Sequence, residues 1–406
     1  MKRIVIVGAG FGGIATALAL AKRKPKDAKI ILISEKPHFE YHPGLYRVVT
    51  GRSPLEVCIP IEEIVRSKPI EFIIDTVTTV DPSSRTLTGA SGSRYQCDYL
   101  VLALGSETAY FDIPGLDKLS FGFKSIPEAL HLKDHLHRLF EKAEVSSGDD
   151  DTVKMNFVVV GAGASGVELA GDLAVYTKIL AKKHGVSESL VTVQLIEAAP
   201  RILPPFPEEA AAKIEMRLRE LGVNIFTNKA ILKEKFEAVY LKGMEMKTDT
   251  VVWTAGVKTN ELYKKIPGFT FDKKGKVLVD EYLQAKGFKN VFVIGDGAST
   301  LYSGMAQTAI NDGKAVARTI AAIESHKSLS VYQPKKPIYA LPVGPGWAAV
   351  LMGSFAFYGS IGWLLRRAAD LRYFLSILPF RKAFTAFRSD KTLCETCEVC
   401  LPEAKS

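Results

Sequence analysis

Two glycine-rich runs carry the chemistry that can be read from this chain. The first, Gly8-Ala9-Gly10-Phe11-Gly12-Gly13, follows the apolar run Arg3-Ile-Val-Ile-Val7 and opens a stretch rich in alanine and leucine. The second, Gly161-Ala162-Gly163-Ala164-Ser165-Gly166, follows Asn156-Phe-Val-Val-Val160 and again leads into a helical pattern. An apolar strand, a turn with no room for side chains and a helix N-terminus together cradle a pyrophosphate, because free amides and the helix dipole both face the anion. Two cradles about 150 residues apart imply two dinucleotides. The economical reason to hold two is to pass electrons between them, so one is expected to be a flavin and the other a nicotinamide.

One such run alone is weak evidence, since glycine-rich turns recur for steric reasons. Each copy here has a second element. Residues 30–33 read as the next strand and end near Glu35; residues 191–196 do the same for the second copy and end at Glu197. A carboxylate at that place accepts hydrogen bonds from a ribose diol and repels a 2′-phosphate. The plainer alternative is two ordinary strand–helix–strand turns that end in solvated glutamates. A third turn, Gly295-Asp296-Gly297-Ala298, stands between an apolar run at 290–294 and a helical run at 305–324. Its aspartate can bind a ribityl hydroxyl while the amides that follow face phosphate, although by itself this is a common turn.

The elements that must position these residues read as α/β. Residues 1–112 run strand–helix–strand, then a β-rich stretch at 70–87 and an apolar run at 99–103. A second α/β unit covers about 120–260 and opens with a helix rich in His and Lys. From about 275 to 325 the chain returns to strand–turn–helix, so the first domain is expected to be interrupted by insertion of the second. The 406 residues, 47% apolar and 24% charged, suit two or three globular domains with ample core. Five cysteines do not make a disulfide framework, and the first strand begins at once with no space for a signal peptide, so a reducing cytoplasm is expected. The net charge of +9 comes without zinc-finger spacing or interleaved basic and aromatic residues, and no nucleic-acid partner is expected.

These residues resemble the two-dinucleotide flavoproteins, and most closely the type II (non-proton-pumping) NADH:quinone oxidoreductases, over about residues 1–390. Tyr99-Leu-Val-Leu-Ala103-Leu-Gly105-Ser-Glu-Thr is similar to the stretch that closes the family's flavin domain. Gly166-Val-Glu168-Leu-Ala170 resembles the start of its nicotinamide-side helix, Glu197-Ala-Ala-Pro-Arg its adenosine-ribose segment, and Thr254-Ala255-Gly256-Val the turn back towards the flavin. Gly44-Leu-Tyr-Arg-Val-Val-Thr-Gly51 is similar to a flavin-contact segment. Ala306-Gln307-Thr308-Ala309-Ile-Asn311 resembles the A-Q-x-A-x-Q quinone signature, with Asn311 one methylene shorter than the usual glutamine.

The resemblance implies an FAD domain at 1–112 and 263–335, an inserted NADH domain at 113–262 and a C-terminal membrane-associating region at 336–406. It implies that FAD is held by Gly8, Gly10, Phe11, Gly12, Gly13, Glu35, Lys36, Ala103, Gly105, Asp296, Ala298, Gln307 and Thr308. NADH then falls to Gly161, Gly163, Ala164, Ser165, Gly166, Glu168, Glu197, Ala255 and Gly256. Glu168 would stand near the nicotinamide, or be only a glutamate favoured by the helix dipole; Gln307 and Asn311 would meet the quinone. His38, Tyr41 and His42 lie beside the flavin-contact segment; packing or solvation is the expected role, with proton shuttling by the histidines as the alternative. No metal is expected; His131, His135 and His137 read as surface residues. A homodimer at the cytoplasmic face of the cell membrane is the expected assembly.

Cysteine placement narrows the chemistry. Neither glycine-rich run is followed by a redox cysteine pair, and no cysteine lies between Cys97 and Cys394. Direct hydride transfer is therefore favoured over thiol chemistry. A sulfide:quinone-like enzyme with another donor, or a flavoprotein like apoptosis-inducing factor that senses NADH, remains as an alternative. Cys394, Cys397 and Cys400 near the end do not complete a zinc site by themselves.

Residues 338–365 carry no charge, yet glycines and prolines interrupt them, so short strands packed on the flavin domain fit better than a membrane span. Downstream, Leu364, Ala368, Leu371, Leu375 and Leu378 form one helical stripe, followed by Phe380, Phe384 and Phe387. Around them stand Arg366, Arg367, Arg372, Arg381, Lys382 and Arg388 against Asp370 and Asp390. Basic rims around an apolar face predict helices lying on an anionic lipid surface.

Overall fold

The computed structural model describes residues 1–23, 27–145 and 155–388. Asp390 and the three C-terminal cysteines lie outside the described residues. The chain forms two compact units. Met1–Glu40, Ile59–Glu107 and Val257–Pro337 make the first; Tyr41–Cys58, Thr108–Gly256 and the chain from Ile338 on make the second.

The first unit is built on a five-stranded parallel sheet. Its strand order is Val291–Val293, Tyr99–Leu102, Lys2–Val7, Ala28–Ser34 and Ile70–Ile74. These strands read as nearly unbroken apolar runs because both faces of a parallel sheet are covered. Val5, Val7, Ile31, Ile33, Leu100 and Val293 share one core with the fully buried Tyr263. Helix Phe11–Arg23 crosses helix Ala306–Glu324 closely: a Cβ on Gly313 would lie 2.5 Å from the Gly12 carbonyl oxygen.

The second unit repeats the plan, in the order Phe121–Gly122, Thr250–Trp253, Met155–Val160, Val191–Ile196 and Val223–Phe226, all parallel. The α/β fold with two Rossmann-like sheets is thus as the residue pattern predicts. The C-terminal strands Tyr339–Pro342, Ala348–Met352 and Phe355–Phe357 form an antiparallel meander. It belongs to this second unit and not, as expected, to the flavin domain. A Cβ on Gly171, in helix Ala164–Lys183, would come within 3.0 Å of the Gly344 amide nitrogen, so the meander sits directly on that helix.

Helices Gly359–Ile377 and Phe380–Arg388 follow. In the first, Leu364, Ala368 and Leu375 of the predicted stripe are exposed, but two of the arginines expected to rim it are buried. Arg366, Arg367 and Asp370 are 5%, 5% and 0% exposed, whereas Ile361 and Leu364 are 62% and 65% exposed. Arg366 and Arg367 are therefore not part of a basic rim; Arg372, Arg381, Lys382 and Arg388 are the exposed bases. Among the described residues no helix is long and apolar enough to cross a membrane.

Candidate functional site

Both glycine runs form the turns that their spacing predicts. In the first unit Gly8 has φ +98°, and a Cβ there would lie 2.4 Å from the Ala103 carbonyl oxygen. A Cβ on Gly13 would sit 1.8 Å from the Gly8 oxygen, so the helix starts hard against the turn. Gly10 is the exception, with nothing within 4 Å of its missing side chain. Two glycines close the turn and the middle one faces open space, an arrangement that suits the close approach of a pyrophosphate.

The remaining residues predicted to hold the flavin surround this turn. Ala103 and Gly105 follow the neighbouring strand, both half-buried, and the Ala103 amide donates to the Val7 oxygen at 2.8 Å. Asp296 sits in the short turn Gly295–Gly297 and accepts from the Ser106 hydroxyl at 2.5 Å. Buried Ala298 closes that turn through its amide to the Gly295 oxygen. Glu35 is exposed at the end of its strand, while Lys36 pairs with Glu40 at 2.9 Å. Phe11 lies edge-on to Phe39. Gln307 and Asn311 are one turn apart at the start of helix Ala306–Glu324, the first exposed and the second half-buried. Between them the Thr308 hydroxyl is buried with no hydrogen-bond partner. An orphaned hydroxyl costs stability unless a ligand meets it, so the residues present fit a bound FAD.

Two supports of this cradle escape sequence reasoning. Asp312, fully buried, accepts from the Gly295 amide at 3.0 Å and from the Tyr332 hydroxyl, and so ties the Asp296 turn to the helix. Tyr263 lies under Gly297, where a Cβ would be 2.4 Å from its ring. A buried Asp in an otherwise apolar helix stripe is the only signal that could have drawn attention to Asp312.

In the second unit Gly161 has φ +101°, with Ala255 Cα only 2.6 Å from a Cβ placed there. A Cβ on Gly166 would meet the Gly161 oxygen at 1.9 Å, and again the middle glycine, Gly163, faces open space. Ala164 and Ser165 are exposed on the first turn of the helix. Glu197 ends its strand as predicted, and its two oxygens accept from the amides of Ala162 (2.7 Å) and Ala199 (2.8 Å). Those bonds fix the carboxylate beside the glycine turn and leave lone pairs for a ribose. Gly256 is overlain by the Phe111 ring, 2.4 Å from a Cβ placed there.

Glu168, in the second turn of this helix, is half-buried. Burial pushes its carboxyl up to about 8, against the opposing pull of Arg366 and Arg47. Asp172, one turn further on, is pushed up to about 6, also chiefly by burial. Tyr41 has a role that sequence does not suggest: its hydroxyl donates to Asp370 at 2.5 Å. His135 and His137 are not surface residues; they bond Thr250 (2.8 Å) and Tyr176 (2.9 Å), and only His131 is exposed. Among the described residues no group of His, Cys, Asp or Glu is arranged to hold a metal.

Comparison with known proteins agrees with this geometry. Residues 2–313 match the pyridine nucleotide-disulphide oxidoreductase family. The chain is 32% identical over 408 residues to a type II NADH:quinone oxidoreductase of Mycobacterium tuberculosis, covering 95% of this chain and 87% of that one. It is 29% identical to the type II NADH:quinone oxidoreductase of Staphylococcus aureus, over 82% of this chain and 85% of the relative. The fold is shared with NDH2 from Plasmodium falciparum, solved in complex with NADH (TM-score 0.84, 17% identity, 96% of this chain and 97% of that). It is also shared with a sulfide:quinone oxidoreductase of Aquifex aeolicus (TM-score 0.79, 20% identity, 100% and 96%).

Proposed function

The chain belongs to the type II NADH:quinone oxidoreductase family, and on that premise we propose that it oxidises NADH and reduces a membrane quinone with FAD as its resident cofactor. The observation that carries the reading is the pair of matched cradles, each with two closed glycines and one open, and each paired with a strand that ends in a glutamate.

The first cradle, Asp296 and the Thr308 hydroxyl would hold FAD, which when bound would supply a ring system able to take a hydride and give up two electrons. The chain itself does the rest by binding and orientation. Gly163, Ala164 and Ser165 offer amides to the NADH pyrophosphate, and Glu197, fixed by two amides, receives the adenosine ribose. A 2′-phosphate would meet that carboxylate, so NADH is preferred over NADPH. Glu168 orients the carboxamide of the nicotinamide, since hydride transfer needs alignment more than an acid or base. Gln307 and Asn311 offer their amides to the quinone oxygens. Thiol chemistry has little support: Cys97 is buried, which pushes its thiol up to about 12.

The quinone dissolves in lipid, and the chain presents a surface suited to lipid. Ile361, Leu364, Leu365, Leu375, Phe380 and Phe384 are exposed, with Arg372, Arg381, Lys382 and Arg388 near them. We place this face on the anionic inner surface of the cell membrane, as a peripheral attachment. The exchange of Leu364 and Phe380 for glutamate should release the protein from anionic vesicles. Continued sedimentation with them refutes the attachment.

One experiment tests the central reading. Anaerobic NADH should bleach the flavin absorbance of the holoprotein, and a ubiquinone analogue should then restore it. A flavin that NADH bleaches and quinone leaves bleached contradicts the quinone assignment.

A further inference from the structure

One arginine of the second unit directs its donors at its own loop. Arg201 stands shortly after Glu197 in the chain. Its guanidinium donates to the carbonyl oxygens of Ile202 (3.3 Å), Leu203 (2.9 Å), Pro204 (2.7 Å) and Phe206 (2.9 Å). These bonds coil residues 201–206 around a single planar group. A rigid fork of N–H bonds can serve carbonyls spread in this way, whereas a lysine ammonium, a point charge with three donors, cannot. Pro204 and Pro205 bring no amide of their own, so the side chain supplies donors that the loop backbone lacks. Leu203, in the middle of the coil, is buried and has φ +49°. Leucine adopts that left-handed conformation only where its surroundings impose it.

The coil reaches the glycine turn. The Leu203 amide donates to the Ala162 oxygen at 2.9 Å, and the Ala162 amide donates to Glu197 Oε2 at 2.7 Å. Ala162, between Gly161 and Gly163, is thus gripped at both of its polar atoms. One of them fixes the carboxylate proposed to receive the adenosine ribose; the other is fixed by the loop that Arg201 folds. The start of the segment has separate support: Glu197 Oε1 accepts from the Ala199 amide at 2.8 Å, and the Ala199 oxygen accepts from the Asn228 amide at 3.0 Å. At the far end the Phe206 amide donates to the Leu203 oxygen at 2.9 Å, and the Phe206 ring packs on Tyr339 of the meander, centroids 4.3 Å apart. Between these anchors the carbonyls of Ile202, Leu203 and Pro204 converge on Arg201. With its Nη donors turned to carbonyls, Arg201 is suited to shaping a pocket and not to clamping a phosphate.

We propose that Arg201 is a positioning residue for the adenosine half of NADH: by folding residues 201–206 it holds Ala162, and through Ala162 it holds the Glu197 carboxylate where the ribose is received. Arg201 acts through the backbone and does not touch the nucleotide. Its planar fork matters, and its charge alone does not. The inference rests on the proposed reading of the second cradle as the NADH site.

The test compares two partial ligands of the holoprotein. ADP-ribose carries the adenosine half without a nicotinamide; reduced nicotinamide mononucleotide carries the nicotinamide without adenosine. In Arg201→Lys the calorimetric Kd for ADP-ribose should rise about tenfold, the scale of one hydrogen bond. The KM for NADH should rise with it. Flavin bleaching by the mononucleotide and kcat at saturating NADH should stay unchanged. Arg201→Met should match Arg201→Lys, because both lose the fork and only one loses the charge. Should neither variant fold, hydrogen exchange in the wild type carries the test: ADP-ribose should slow exchange at the Leu203 and Phe206 amides, and the mononucleotide should not. Wild-type affinity for ADP-ribose in Arg201→Lys, equal weakening of both ligands, or exchange at Leu203 that ignores ADP-ribose would overturn the proposal. A wild type whose flavin NADH leaves unbleached, and which binds no ADP-ribose, overturns the reading of the second cradle instead.

Discussion

The two cradles are nearly superimposable in their backbone demands and differ in what surrounds them. Gly8 and Gly161 share a left-handed φ near +100°, and Gly13 and Gly166 would each place a Cβ within 1.9 Å of an oxygen. Behind the first turn, helix Phe11–Arg23 buries only glycine, alanine, leucine, isoleucine and threonine. Behind the second, helix Ala164–Lys183 carries Glu168 and Asp172 towards a buried group of arginines. The same turn thus serves two purposes. On the proposed reading, one grips a resident cofactor against inert packing and the other sets a visiting nucleotide beside buried carboxyl and guanidinium groups.

Substitution of the third glycine breaks both cradles, with different consequences. Gly13→Ala should yield a protein without flavin colour. Gly166→Ala should keep its flavin and raise the KM for NADH by at least tenfold, because the clash with the Gly161 oxygen lies in the second unit alone. Absorbance of the purified variants and steady-state kinetics check both. Flavin loss from Gly166→Ala with normal NADH binding would reverse the assignment of the two sites.

The buried charges give the next largest effect. Asp370→Ala removes the carboxylate that Arg366, Arg47 and Arg367 share at hydrogen-bond distance. Removal of one partner from a buried ion network costs about 3–5 kcal/mol, which thermal melting should register as a large fall in Tm. Leu364→Ala on the opposite face should leave Tm nearly unchanged. An equal fall in both would mean that Leu364 is packed as tightly as the charged face.

The leucine stripe that includes Leu364 shows where sequence reasoning stops. Glycine spacing is local: strand, turn and helix start lie within a dozen residues, so φ, close approach and anion geometry can all be read from one segment. The strands at 2–7, 28–34, 155–160 and 191–196 were legible for the same reason, as apolar runs bounded by turns. For the helix at 359–377, periodicity groups Leu364, Ala368, Leu371 and Leu375 on a face expected to meet lipid and puts Arg366, Asp370 and Arg372 off it, but it does not tell which of those charged residues are buried. The helix's orientation is set by Tyr41, Arg47 and Glu56, more than 300 residues earlier, which make a polar interior for Arg366, Arg367 and Asp370. No period in the local sequence encodes a distant ion pair. Asp312 and Tyr263 escaped for a related reason, since each supports a turn from another part of the chain.

The two terminal glutamates offer a finer contrast. Glu197 is fastened by two backbone amides, whereas Glu35 stands exposed at the corresponding place. Glu197→Ala should lower the ratio of kcat/KM for NADH over NADPH by about tenfold, roughly 1.4 kcal/mol of discrimination. Glu35→Ala should leave that ratio as it is and at most weaken flavin retention. A ratio unmoved by Glu197→Ala places the adenosine ribose elsewhere.

The last effect is the one most particular to the second helix. Glu168 has its proton affinity raised on folding, from an ordinary value of 4.5 to about 8. Between those two values the native state binds a proton that the unfolded chain does not, so stability falls as pH rises. The contribution is complete below 4.5 and is lost as pH passes through about 8. Wild-type Tm should therefore decline between pH 5 and pH 8.5 more steeply than that of Glu168→Gln, which cannot ionise. Helix Phe11–Arg23 buries no carboxyl, so no substitution along it should alter the slope. Parallel slopes for wild type and Glu168→Gln would mean that Glu168 is ionised in the folded protein at neutral pH, and that the two cradles differ less than their surroundings suggest.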